Sequence, residues 1–133
     1  MSSALYIVLE RKDPAIETYV DGKALSWAEE ELKALAGRLG VTPLMDFFSA
    51  DPEELLAQAE EFNTGLTPDE VPKEQWFPSA EGLKTVRALL EYVDAHPSEF
   101  PSAASIANEL AGFQFVLEAA DKGGIRWHLA VDY

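Results

Sequence analysis

The chain has 133 residues, no cysteine and a net charge of −14, with 24 acidic residues against 10 basic ones. This length predicts one domain with its own hydrophobic core, and the lack of cysteine excludes disulfides, thiolate metal ligands and a cysteine nucleophile. The negative charge argues against nucleic acid or membrane partners, which need a positive surface, and no apolar run approaches the roughly 20 residues that span a bilayer, so a cytoplasmic protein is expected.

The first predicted element is a strand over Ala4–Leu9. Apolar residues fill both of its alternating sets, which is typical of a central strand covered on both faces. Ser26 and Glu29 have the spacing of a capping box, so a helix is predicted to begin at Ser26. Gly40 and Pro43 predict the end of that helix.

The middle of the chain is predicted to hold a strand, a helix and a long connection. Leu44–Phe48 is a mostly apolar run of strand length. A helix is predicted next, with Asp51 as its N-cap and Pro52 at its first position. The sixteen residues Asn63–Pro78 contain three prolines and fit neither the helical nor the strand period. Connections of this length within a domain are uncommon and are often functional or mobile.

Two long helices are predicted in the second half of the chain. Ser79 is the predicted cap of a helix over Ala80–His96, and a last helix is predicted over Ser102–Lys122. His96 is expected to interact with the free carbonyls of its helix end. Phe115 lies about 180° from the centre of the apolar stripe of the last helix, which predicts a second contact surface.

The last nine residues, Ile125–Tyr133, carry the clearest periodic signal, because apolar side chains alternate with polar ones along most of the segment. This period of two predicts a half-buried strand. The order of elements predicts an α+β fold: a small mixed or antiparallel sheet with about four helices packed mainly on one face. We find no linker or repeat, so residues 1–133 are predicted to form a single globular domain.

The charge is concentrated between Asp51 and Glu81, where nine acidic residues and one basic residue give a net charge of −8. A binding surface for a basic protein is one interpretation, with carboxylates supplying charge and Trp76 a cation-π face. The alternative is that the adjacent aromatics fold inward and the acids are merely solvated. The candidate binding residues on this surface are Asp69, Glu70, Glu74, Trp76 and Phe77, and the last strand adds Arg126 and His128.

The last strand supplies the candidate catalytic residues. His128 is expected to share a face with Arg126, about 6.5 Å away, and it could meet a carboxylate from a neighbouring strand. Asp46 and Glu10 are the carboxylates considered for an acid-base pair with His128. An ordinary polar strand face is the alternative. No hydrolase, nucleotide-binding or metal motif is present, and two histidines without cysteine argue against a zinc site, so neither a cofactor nor a metal is predicted.

Four segments, Ala4–Arg11, Leu44–Pro52, Glu74–Pro78 and Ile125–Tyr133, resemble small uncharacterised bacterial proteins of about this length. The resemblance covers nearly the whole chain. It implies no activity, and therefore no functional residue.

Three classes of function are considered. The first is an acidic cytoplasmic module that binds a basic protein, as bacterial immunity and inhibitor proteins do. The second is a small enzyme that uses His128 and a nearby carboxylate in acid-base catalysis. The third is a structural domain that forms a homodimer through surplus apolar surface at Phe115 or Tyr92. The sequence favours the first, and a binding protein over an enzyme.

Overall fold

The computed structural model describes residues 3–16, 21–61 and 73–132. Within these ranges the chain is α+β, as predicted, with two strands and five α-helices. The elements in chain order are β1 (Ala4–Leu9), α1 (Lys23–Trp27), α2 (Glu29–Leu39), α3 (Pro52–Glu61), α4 (Ser79–Ala95), α5 (Ala103–Lys122) and β2 (Trp127–Asp132). Two short 3-10 turns are Leu44–Phe47 and Pro97–Glu99. None of the helices in the described ranges is long and apolar enough to cross a bilayer.

The two strands pair antiparallel, and β2 is hydrogen-bonded along both of its edges. The register places Leu5 opposite Val131, Ile7 opposite Leu129 and Leu9 opposite Trp127. On the other edge, Phe77 and Trp127 exchange backbone hydrogen bonds of 2.8 and 3.0 Å, and the Ser49 amide donates to Leu129 O at 3.0 Å. In the described part of the chain, the C-terminal strand is therefore bonded to β1 on one edge and to isolated bridge residues on the other. The prediction that both faces of β1 are covered is wrong at Tyr6, whose side chain is 36% exposed.

One face of the sheet is buried under the helices. Ile7, Trp127 and Leu129 lie on that face, and each is at most 3% exposed. Helices α4 and α5 form the most extensive helix pair. The apolar spacing of their sequences accounts for this packing, because residues at steps of three and four share one helix face. The fully buried stripe of α5 comprises Ile106, Leu110, Phe113 and Leu117.

Helix α4 approaches the sheet closely at Gly82. A Cβ atom at Gly82 would lie 2.4 Å from Cζ2 and 2.7 Å from Nε1 of the Trp127 indole. Trp127 is fully buried, and its Nε1 has no hydrogen-bond partner among the described residues. Only a glycine leaves room for the indole at this contact, so the packing of β2 on α4 depends on Gly82.

The strand predicted over Leu44–Phe48 is wrong. Leu44–Phe47 is a 3-10 turn, and only Phe48 forms a single bridge to Leu129. The physical reason is tertiary: Phe47 is buried with its ring centroid 5.0 Å from Trp127 and 5.4 Å from Phe77. A turn that begins after Pro43 brings Phe47 into this aromatic cluster.

The capping box predicted at Ser26 is also wrong. The helix begins earlier, at Lys23, and a break at Ala28 separates α1 from α2. The Ser26 hydroxyl lies 2.6 Å from the Ser3 hydroxyl. The free amides of α1 are instead satisfied by Glu109 of α5, whose carboxylate accepts hydrogen bonds from Ala24 N at 3.1 Å and Leu25 N at 3.0 Å.

The ends of the other helices agree more closely with the sequence. Asp51 Oδ1 accepts a hydrogen bond from Glu53 N at 2.9 Å, as expected of the N-cap of α3. The predicted contact of His96 with a terminal carbonyl is present, with Nδ1 3.1 Å from Tyr92 O. Ser79, however, does not cap α4: its hydroxyl is buried and donates to Ile125 O at 2.6 Å.

The two aromatic residues considered for a dimer interface lie in different surroundings. Phe115 is 72% exposed, on the side of α5 that the sequence indicates. Tyr92 is half-buried, stacks on His96 with ring centroids 4.1 Å apart, and donates its hydroxyl to Glu99.

Candidate functional site

A cavity of about 250 Å³ lies on the face of the sheet that points away from the main helix pair. Its floor is formed by two cross-strand pairs, Tyr6 with Ala130 and Val8 with His128. The wall is formed by residues 48–51, Leu55 of α3 and Glu74. Because side chains alternate along a strand, the same two strands that bury Ile7 and Leu129 also present this second face.

Glu74 and His128 form a hydrogen-bonded pair at this cavity. His128 is 2% exposed, and its Nε2 lies 2.8 Å from Glu74 Oε2. Its Nδ1 lies 3.0 Å from Leu129 O. Both ring nitrogens are thus occupied by partners within the chain. The Glu74 side chain is 26% exposed and lines the cavity, so the carboxylate is the more accessible member of the pair.

The segment that follows Glu74 is extended and presents its side chains alternately. Trp76 packs on the imidazole of His128, with ring centroids 4.8 Å apart and planes inclined by 46°. Phe77 packs in the opposite sense, edge-on against Phe47 in the core. The Gln75 amide donates to Ser49 Oγ at 2.8 Å, which ties this segment to the cavity wall. The structure therefore places the ring of Trp76 against His128 and that of Phe77 inward.

A second carboxylate lines the cavity because of how α3 begins. Asp51 is held at the helix N-terminus by its hydrogen bond with Glu53 N, and it is one of the lining residues. Ser49, which is 8% exposed, adds a hydroxyl. Of the described residues that line the cavity, none is lysine or arginine. The polar part of this wall therefore carries negative groups and hydrogen-bond acceptors.

The other candidate residues do not meet at this cavity. Arg126 donates hydrogen bonds to Glu10 through Nε, at 3.0 Å from Oε1, and through a second guanidinium nitrogen. These bonds hold the pKa of Glu10 below its ordinary value, and the same carboxylate raises the pKa of Arg126 above its own. The pair is exposed and lies where β1 ends and β2 begins. Neither residue lines the cavity.

Asp46 lies exposed in the 3-10 turn and is likewise absent from the cavity wall. Of the carboxylates considered for His128, the structure brings neither Asp46 nor Glu10 to the imidazole and supplies Glu74 instead. Asp69 and Glu70, predicted to belong to the binding surface, lie outside the described residues.

Sequence reasoning missed two polar residues of the cavity, Tyr6 and Ser49. Tyr6 shares a strand face with Val8 by simple alternation, but the register that places both beside His128 is not encoded locally. Asp51 was identified as a helix cap and as one of the acids between residues 51 and 81, but not as a neighbour of His128. The place of Asp51 in the cavity wall follows from the backbone bridge that holds Phe48 and Ser49 beside Leu129.

The arrangement is suited to binding a cationic group. In the described part of the chain, no group of three or more histidine or carboxylate side chains is placed to hold a metal ion. The site offers carboxylates and a hydroxyl above a floor that is partly apolar, through Val8 and Ala130.

Comparisons of this chain with protein families, with curated proteins and with solved structures find no match.

Proposed function

We propose that this protein is a binding protein that docks a basic partner protein through the surface around Glu74. The observation that carries the proposal is the Glu74 carboxylate, held by buried His128 at the edge of a cavity that Asp51 also lines. A carboxylate fixed in advance loses less conformational freedom on binding than a mobile one, so more of its interaction energy is available for the partner. We call Asp51 and Glu74, which line the cavity, together with Glu53, the exposed acid whose backbone amide is bonded to Asp51, the acidic rim.

The charge of the whole chain supports the same function. A net charge of −14, with a net −8 between residues 51 and 81, creates a long-range field that attracts a positive partner. Such steering accelerates association by about 10- to 1,000-fold at low salt. It weakens as salt shortens the screening length to roughly 8 Å at physiological ionic strength.

The experiment is a charge-reversal binding assay. Immobilised protein is exposed to a lysate of the source cells at low and at high salt, and retained proteins are identified by mass spectrometry. The test variant is Glu53→Lys combined with Glu74→Gln. The matched control is Glu30→Lys in α2 combined with Glu91→Gln in α4, two exposed acids elsewhere, so that both variants change the net charge equally.

We expect a basic protein that wild type and control retain at low salt, that high salt releases, and that the test variant fails to retain. Purified partner then gives the affinities of the three proteins directly. Equal affinities for the test variant and the control would contradict the proposal, because the acidic rim would then add nothing beyond net charge.

A second candidate, acid-base catalysis, is favoured by one observation: the 2.8 Å contact between His128 and Glu74 at a cavity. Since both His128 nitrogens are occupied, the proton-transferring group would be Glu74, with His128 orienting it. This candidate predicts turnover in a panel of chromogenic esters, phosphates and glycosides that is lost on Glu74→Gln. Equal rates for wild type and variant across the panel would contradict it.

A further inference from the structure

We propose that the cavity beside Glu74 takes one arginine side chain of the partner. This inference rests on the proposed function and names the group that the site recognises. The starting observation is size. Pockets for small molecules and cofactors usually measure about 300–1,000 Å³, whereas this cavity measures about 250 Å³. A single long side chain suits that volume better than a nucleotide or a cofactor.

The lining selects an amphipathic cation. Val8, Leu55 and Ala130 give an apolar surface along which a chain of methylene groups can lie. The carboxylates of Asp51 and Glu74 and the Ser49 hydroxyl provide acceptors for a charged head. Arginine and lysine both combine an apolar stem with a cationic end. The burial of the stem and the pairing of the head therefore act at the same site.

Two features favour arginine over lysine. The ring of Phe48 lines the cavity and is 40% exposed, and a planar guanidinium stacks on an aromatic face. The several acceptors also suit a guanidinium, because its five N–H donors serve more than one oxygen at once. An ammonium group is more strongly hydrated, so it loses more on entering a partly apolar cavity.

His128 acts here as a positioning residue for Glu74. Its Nδ1 hydrogen bond with Leu129 O fixes the ring, and Nε2 holds one carboxylate oxygen of Glu74. No hydrogen-bond partner at the other oxygen appears among the described residues, so Oε1 is free to accept from a guanidinium. A variant at His128 is therefore expected to weaken arginine binding by releasing Glu74 from its fixed position.

The test uses three capped amino acids as probes: N-acetyl N-methylamide derivatives of arginine, lysine and citrulline. Citrulline matches the shape of arginine without its charge. Binding to the full chain is followed by titration with NMR amide shifts. We expect a dissociation constant of about 1 mM for arginine, at least tenfold weaker binding of lysine, and no saturable binding of citrulline. The shifts are expected at the amides of Glu74, His128 and Ala130.

The variants separate charge from folding. Asp51→Asn keeps a good helix cap while removing one carboxylate, and Glu74→Gln removes the other. Each is expected to weaken arginine binding at least tenfold, and His128→Gln several-fold, whereas Glu91→Gln on α4 leaves it unchanged. Circular dichroism verifies that each variant is folded. If Glu74→Gln is unfolded, the affinity of Asp51→Asn for capped arginine still tests the inference.

Equal binding of citrulline and arginine would overturn the inference, as would shifts confined to another surface or an undiminished affinity in Asp51→Asn. If capped arginine fails to bind while the acidic-rim variant still loses the partner, the inference fails and the proposed function stands. If arginine binds but the rim variant retains the partner fully, it is the proposed function that fails.

Discussion

The substitution Gly82→Ala tests the packing of α4 on the sheet, because sequence and structure predict opposite signs for its effect. In a helix interior, alanine is favoured over glycine by about 0.8–1.0 kcal/mol. At Gly82, however, the new Cβ would lie 2.4, 2.6 and 2.7 Å from three atoms of the Trp127 ring. The ring is fully buried and cannot swing into solvent. Overpacking of a core costs typically about 1–3 kcal/mol, and contacts this short place the cost at the upper end.

We therefore expect Gly82→Ala to lower the free energy of unfolding by about 1–2 kcal/mol after the propensity gain is subtracted. The matched control is Gly37→Ala in α2, where a Cβ meets nothing within 4 Å. The control is expected to raise stability by up to about 1 kcal/mol. For a domain of this size, each kcal/mol shifts the melting temperature by roughly 3–5 °C. Urea unfolding followed by circular dichroism measures both variants.

A third variant tests whether the destabilisation by Gly82→Ala comes from contact with the Trp127 indole. Trp127→Phe removes the ring atoms nearest to Gly82, and it sacrifices no hydrogen bond because Nε1 has no partner among the described residues. In a double-mutant cycle, Gly82→Ala is expected to cost less in this background than in wild type. The reasoning is refuted if Gly82→Ala stabilises the protein as much as Gly37→Ala does.

Three further predictions concern polar contacts. Ser79→Asp is expected to lower the free energy of unfolding in urea by about 1–3 kcal/mol, because it places a buried carboxylate against Ile125 O. A helix cap would tolerate this change, so unchanged stability would support a capping role for Ser79. Glu109→Ala is expected to lower the free energy of unfolding by about 1–2 kcal/mol, because it leaves two α1 amides unpaired, and Glu109→Gln is expected to lower it less. Unfolding midpoints equal to that of wild type would contradict this. Arg126 lowers the pKa of Glu10, so this carboxylate adds stability above the ordinary value of about 4.3 that is lost as the pH falls through the lower folded pKa. Glu10→Gln is therefore expected to flatten the acid limb of a stability–pH curve, and an unchanged limb would count against the pairing.

The sequence was informative where structure is decided by nearby residues. The alternation in Ile125–Tyr133 predicted the strand β2, although β2 is buried on both faces and not on one, and the apolar spacing of the last helix predicted its buried stripe. The Asp51 cap was correct because a cap and the amide that it satisfies are two residues apart. In each case the interacting groups lie within a few positions of one another, so the sequence pattern contains the information.

It was uninformative where distant residues compete with local ones. The cap of α1 comes from Glu109, in another helix, and no local pattern distinguishes this from a capping box at Ser26. A nearby carboxylate was considered as the partner of His128, but no spacing rule selects Glu74, the residue that pairs with it. The turn at Leu44–Phe47 forms because an aromatic cluster favours it, although the run has strand-like composition. These choices depend on tertiary contacts.

The pairing of the first strand with the last has a consequence for synthesis on the ribosome. Leu9 pairs with Trp127, so β1 leaves the exit tunnel long before its partner exists. The short run Leu-Tyr-Ile-Val-Leu combines high β-propensity with no charge, which favours aggregation while it is unpaired. The charged residues that follow it, Glu10, Arg11, Lys12 and Asp13, are suited to act as gatekeepers during this interval. Nascent chains in which these four are neutralised should therefore aggregate before translation is complete.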